Sequence, residues 1–101
     1  ETQVQLGNLK LKLDSLSLEI DGDSYDLGQI EYKILNFLLK KSGTLVSRQE
    51  LNKCVWGNNL PSERALDPHI TSLRKKLQKS QGILKTVYSK GYSLVLKEMG
   101  H

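Results

Sequence analysis

Arg64-Ala65-Leu66-Asp67-Pro68-His69-Ile70-Thr71-Ser72-Leu73-Arg74-Lys75-Lys76-Leu77 carries its apolar residues at helical spacing. Leu66, Ile70, Leu73 and Leu77 follow one another at steps of four, three and four, so at ~100° per residue they form one narrow edge. Arg64, Pro68, Thr71, Ser72 and Lys75 fall opposite that edge, with Arg74 and Lys76 on its flanks. One side is built for burial and the other is cationic and hydrogen-bonding. Pro68 leaves two possible starts, because proline lacks an N–H and is tolerated only in a helix's first turn. Either the helix begins near Asp67, with that carboxylate as cap, or it begins near Ser62 and bends at Pro68.

Two shorter helical patterns precede this one. Ile30, Ile34, Leu35, Leu38 and Leu39 recur from Gly28 up to Ser42-Gly43, where glycine can take the left-handed conformation that ends a helix. Gly28 is a poorer cap than serine or threonine, but Glu31 can reach back to the free backbone N–H groups. After an extended link, Thr44-Leu45-Val46, the segment Ser47-Arg48-Gln49-Glu50 is a capping box. It leads into Leu51, Cys54, Val55 and Trp56, with Gly57 as the stop.

β patterns enclose the helices. Leu9, Leu11 and Leu13, then Leu16, Leu18 and Ile20, then Tyr25 and Leu27 alternate with polar residues, broken at Asp14-Ser15 and Asp21-Gly22-Asp23. Asp-Gly is a tight hairpin signal, so three or four short antiparallel strands are expected with one face buried. At the other end, Ile83 to Tyr88 and Tyr92 to Leu96 flank Ser89-Lys90-Gly91 as a closing hairpin. The expected organisation is one domain over residues 1–101, with an N-terminal sheet at 4–27, a three-helix core at 28–79 and a hairpin at 83–96. That order is α+β, a winged helix-turn-helix, in which the third helix fits the roughly 12 Å major groove of double-stranded DNA.

Composition narrows the alternatives. The chain has 101 residues, 38% hydrophobic and 26% charged, which suits a folded domain and rules out collagen-like and low-complexity classes. No apolar run approaches the ~18–20 residues of a membrane span, and no leader pattern is present, so a cytoplasmic location is expected. Cys54 is the one cysteine, so no internal disulfide is possible. With His69 and His101 it falls short of a structural zinc site, and no cofactor is expected.

Charge is segregated. Residues 1–32 hold two lysines against seven acidic residues, a net −5, whereas residues 33–101 hold thirteen Lys or Arg against four acids, a net +9. A basic half beside an acidic one points to a polyanionic partner, nucleic acid before an anionic membrane. No phosphate loop, nucleophile elbow or metalloprotease motif is present, and His69 alone lacks the partners that acid–base catalysis requires. Neither an enzyme nor a small-molecule substrate is expected.

At this point the residues resemble the OmpR/PhoB-type winged-helix DNA-binding domain of bacterial transcription regulators. The likeness runs from about Leu6 to Leu94. It is carried by the segment from Leu27 to Leu35, by Val46 to Leu51 with Val55-Trp56, by Arg64 to Leu77, and by Thr86-Val87 with Gly91-Tyr92. The resemblance implies a four-stranded N-terminal sheet, a recognition helix at 64–79 and a wing at 84–95. It also implies head-to-tail dimers on tandem half-sites, and contact with RNA polymerase through the loop holding Asn58, Asn59, Leu60, Pro61 and Ser62. A chain beginning at Glu1 rather than Met is expected to be the effector part of a longer regulator, with either an upstream receiver or a membrane anchor.

Several positions depart from the family pattern. Thr71 and Ser72 stand where members often carry base-reading arginines, and Tyr88 stands where the wing often inserts one into the minor groove. Neither hydroxyl can imitate the arginine fork on guanine, so readout is expected to be weaker or different. Pro68 replaces a valine-like residue, and Gly28 replaces the usual Thr or Ser cap. Arg48, Arg74, Lys75, Lys76, Lys85 and Lys90 are the expected phosphate contacts, and Arg64, Thr71 and Ser72 the expected base contacts. The alternative is a protein-interaction winged helix, contacting polymerase or a partner domain and binding DNA weakly.

Overall fold

Asp21 and Gly22 both hold positive φ, at 51° and 87°, which is the backbone of the tight turn that matches the twist of antiparallel strands. The computed structural model describes residues 3–59, 64–80, 82–87 and 90–96. Four strands precede the helices: β1 (Gln3–Leu6), β2 (Leu9–Lys12), β3 (Ser17–Ile20) and β4 (Asp23–Asp26). They form one antiparallel sheet in sequence order. A turn not expected from the sequence, at Gly7-Asn8, separates β1 from β2, with Gly7 at φ 60°. The β2–β3 register sets Leu9 against Ile20 and Leu11 against Leu18. All four are buried in the core.

The first helix, α1 (Gln29–Lys40), buries Ile34, Leu35, Leu38 and Leu39, and Gly43 follows it at φ 84°. The second, α2 (Arg48–Trp56), opens on Ser47, whose hydroxyl accepts from the Glu50 amide at 3.0 Å, and closes on Gly57 at φ 62°. On α2, Leu51 and Val55 are buried, but Cys54 faces outward and Asn52 takes the inward position. The third helix, α3 (Asp67–Lys76), tightens into a 3-10 turn at Leu77–Lys79. Its seam of Leu66, Ile70, Leu73 and Leu77 is at most 4% exposed.

The extended link before α2 is more than a connector. Val46–Ser47 forms a short strand, β5, which pairs with β7 (Gly91–Leu96), and β7 also pairs with β6 (Gly82–Val87). The wing is therefore a three-stranded sheet in the order β5-β7-β6. Gly91 makes this possible. It has φ 147°, and a Cβ there would lie 2.0 Å from the Val46 carbonyl oxygen.

Glu31 fixes how α3 sits. Its Oε1 accepts from the Gly28 amide at 3.1 Å, as expected of a capping residue, and also from Lys76 Nζ at 2.7 Å. Its Oε2 accepts from Ser72 Oγ at 2.5 Å. Lys76 also donates to the Asp26 carbonyl at 3.2 Å. Burial, the largest single influence on this carboxyl, pushes its pKa up. The hydrogen bonds from Lys76, Ser72 and Gly28, with the lysine's charge, together outweigh it and hold the pKa below its ordinary value of 4.5.

Two stability measurements follow. Gly91→Ala should lower stability by ~2–3 kcal/mol, because it adds a side chain at a strained φ against a backbone oxygen. In a domain of this size that corresponds to a fall in Tm of about 10 °C or more; a Tm within a degree or two of wild type would show that the β5–β7 approach is not constrained. Because Glu31 is more acidic folded than unfolded, its stabilisation is complete above its ordinary pKa and is lost as pH falls through the folded value. Glu31→Gln should cost about 1–3 kcal/mol at neutral pH, less than a fully buried pair because Lys76 retains access to water. Its Tm should also fall less than that of wild type between pH 6 and 3, and parallel pH profiles would contradict this account.

Candidate nucleic-acid interface

Asp67 and Pro68 decide where α3 begins. Residues 64–66 form a turn, closed by the Asp67 amide donating to the Arg64 carbonyl at 3.1 Å. Leu66 is the N-cap in helical backbone conformation, and no side chain caps the helix. Of the two starts the sequence allows, the one near Asp67 is observed, but without the carboxylate cap: Asp67 lies inside the first turn. There it is placed to interact with the helix dipole rather than to bond an amide. The implied recognition helix at 64–79 is correspondingly shorter. Proline's missing N–H falls among amides that have no intrahelical acceptor in any case.

Three sides of α3 have different fates. The apolar seam enters the core against α1. The adjacent side carries His69, Ser72 and Lys76, and it too is turned inward. Ser72 and Lys76 bind Glu31, and the His69 ring meets the Trp56 ring at 6.2 Å between centroids. Ser72, expected as a base contact, and Lys76, expected as a phosphate contact, are therefore already engaged with Glu31. Lys76 flanks the leucine seam and Ser72 lies beyond it on the same side, toward α1, a side that a helical wheel cannot distinguish from the one holding Arg74 and Thr71. The remaining side, with Pro68, Thr71, Arg74 and Lys75, is exposed.

Two of those four side chains are already engaged within the protein. Thr71 Oγ1 donates to the Asp67 carbonyl at 3.0 Å. The Arg74 guanidinium donates to Thr86 Oγ1 on β6 at 2.5 Å. This second bond ties α3 to the wing. Thr86 stands opposite Tyr92 in the β6–β7 register, and the Arg48 guanidinium lies over the Tyr92 ring at 6.0 Å.

The wing and helices enclose a hollow of about 460 Å³, lined by Arg48, Arg64, Thr86, Lys90 and Tyr92 among others. A second, of about 280 Å³, adjoins it, with Arg48, Asp67, Thr71, Arg74 and Thr86 in its lining. Four cations from the start of α2, the approach to α3, α3 itself and the wing turn thus converge on one side, the arrangement that an extended polyanion requires. Lys75 is exposed on the same side of α3 as Thr71. Lys85 is not part of this convergence: it alternates with Thr86 on β6 and faces away from α3. Asn58 and Asn59 are exposed. Tyr88, Leu60, Pro61 and Ser62 lie outside the described residues.

The residues missed from the sequence are Thr86 and Tyr92 as organisers of the cationic side, and Glu31 as more than a cap. An acid three residues after Gly28 signalled the capping role. Nothing local in the sequence signalled that Ser72 and Lys76, more than forty positions away, would share the same carboxylate.

The family model described as "Transcriptional regulatory protein, C terminal" matches residues 22–94. The chain is 44% identical over 77 residues to the transcriptional regulatory protein CpxR homolog of Haemophilus influenzae, an alignment covering 72% of this chain and 34% of that protein. Among solved structures it is similar to the DNA binding domain of CpxR from E. coli, at 30% identity and TM-score 0.82, with 97% of this chain and 100% of that one covered. It is also similar to the Klebsiella pneumoniae RstA DNA-binding domain in complex with RstA box, at 25% identity and TM-score 0.81, with 94% and 98% covered. The chain spans between a third and just under half of the curated relatives it matches. With the four-stranded sheet, the three helices and the wing in this order, the chain belongs to the OmpR/PhoB-type family of transcriptional regulatory C-terminal domains, which have the winged-helix fold.

Proposed function

We propose that this domain binds double-stranded DNA as the effector of a bacterial transcription regulator, with α3 in the major groove and the wing along the backbone. The observation that carries this reading is the division of α3. Its seam is buried on α1, its inward flank is consumed by Glu31, and its remaining side is left open beside four converging cations. Relatives with the same fold support it, since the domain of RstA was solved in complex with RstA box and that of AdeR with an intercistronic region. Arg48, Arg64, Arg74, Lys75 and Lys90 neutralise phosphates, and the first turns of α3 meet the base edges, as in other helix-turn-helix proteins. Arg64, in the turn ahead of α3 and beside Arg48 and Lys90, takes a phosphate role in this arrangement. Tandem head-to-tail binding, and polymerase contact through the segment that includes Asn58 and Asn59, belong to the same reading. So does an attached receiver or membrane-anchored sensor that would supply the input.

Five neutralised phosphates should make the logarithm of affinity fall with log salt at a slope of about −4 to −5, from roughly −0.9 per phosphate. A flat salt response, or no retention of random duplex at micromolar protein and low salt, would overturn the reading in favour of a protein-interaction module. Lys75→Ala should weaken binding to all duplexes and reduce the slope by about one. Lys76→Ala should lower Tm and leave the slope unchanged, because its ammonium is already paired with Glu31. Equal slope changes in the two variants would contradict the assigned roles.

A further inference from the structure

We infer that this domain selects its site by apolar contact with thymine methyl groups, made by the Pro68 ring and the Thr71 methyl, rather than by hydrogen bonds to base edges. The inference rests on the DNA-binding reading above and specifies what the open side of α3 recognises.

The first turns of a recognition helix are the part that reaches base edges. In α3 the exposed residues there are Pro68 and Thr71, the Asp67 side chain being half-buried. Pro68 has no hydrogen-bonding group on its side chain. The Thr71 hydroxyl donates its hydrogen bond to the Asp67 carbonyl, 3.0 Å away. In a helix, the threonine rotamer that bonds the preceding turn leaves the γ-methyl directed outward. Ser72, which could have offered a hydroxyl, is bound to Glu31. Arg74 is tied to Thr86 at the wing, and Lys75 lies in the last turn, away from the first turns that reach base edges.

What projects from the start of α3 is therefore a pyrrolidine ring and a methyl group three residues apart. Groups at that spacing on a helix lie about 5–6 Å from each other. Successive bases on one strand rise ~3.4 Å, so the pair spans one to two base steps. The C5-methyl of thymine is the apolar feature of the major-groove code, and threonine methyls and other apolar side chains are its usual partners.

The test begins with duplexes selected by the wild-type domain from a random pool. Each thymine of the selected site is then replaced singly by deoxyuridine, which removes only the methyl. At one or two positions the replacement should weaken wild-type binding about fourfold, which is about 0.8 kcal/mol for one buried methyl. Thr71→Ser should bind the thymine duplex about fourfold more weakly and show no further loss on deoxyuridine at one of those positions, so that protein and base are coupled in a double-mutant cycle. Thr71→Val, which keeps a methyl and discards the hydroxyl, should retain the thymine preference.

Selected duplexes that tolerate deoxyuridine at every thymine would overturn this inference and leave DNA binding intact. So would a Thr71→Val protein that loses the preference while Thr71→Ser keeps it, since that assigns recognition to the hydroxyl oxygen. Failure to select any duplex at low salt would instead overturn the DNA-binding reading itself.

Discussion

The carboxylate of Glu31 is the constraint on which the presentation of α3 depends. A buried carboxylate is costly unless its oxygens are satisfied, and here the Gly28 amide, the Ser72 hydroxyl and the Lys76 ammonium satisfy them from three directions. The first of these bonds closes the start of α1. The other two come from consecutive turns of α3, and Lys76 extends the linkage to the Asp26 carbonyl at the end of β4. One side chain thus joins the N-terminal sheet, α1 and α3. The apolar seam of α3 supplies burial without direction, whereas these bonds set the rotation of the helix about its own axis. A different rotation would leave charged or hydroxyl groups unpaired against α1.

The cost of this lock falls on the surface chemistry of α3. Ser72 and Lys76 are polar positions that a helix considered alone would offer to solvent, but here both are bonded to Glu31. Arg74 is held to Thr86, which couples the helix to the wing instead of leaving its guanidinium to swing freely. Lys75 remains exposed on α3, and the cations that gather beside it come from separate elements: Arg48 at the start of α2, Arg64 in the turn ahead of α3, and Lys90 at the wing turn. They converge because β5 joins the wing sheet, bringing the N-terminus of α2 against β7. That pairing in turn needs the close approach of Gly91 to the Val46 carbonyl.

The arrangement separates two tasks. Positive charge, spread over several elements, suits a sequence-independent grip on a phosphate backbone. The short outward stretch at the start of α3 is left with little hydrogen-bonding capacity. Of the two hydroxyls on this part of the helix, that of Ser72 serves the lock and that of Thr71 bonds the helix backbone.

Much of the fold was legible from local pattern. The alternating leucines, the Asp21-Gly22 turn, the capping box at Ser47 and the four-three-four spacing from Leu66 to Leu77 each encode an element through short-range sterics and hydrogen bonding. Their order was enough to suggest the family. The strand at Val46–Ser47 was not legible, because two residues carry no periodicity and the pairing with β7 is remote in sequence. Nor could the wheel of α3 reveal which flank of the seam would be covered, since both flanks hold polar residues that water satisfies equally well in an isolated helix. Only the packed chain, in which α1 brings a carboxylate to one flank and leaves the other in solvent, decided that Ser72 and Lys76 are half-buried against Glu31 while Thr71, Arg74 and Lys75 remain exposed.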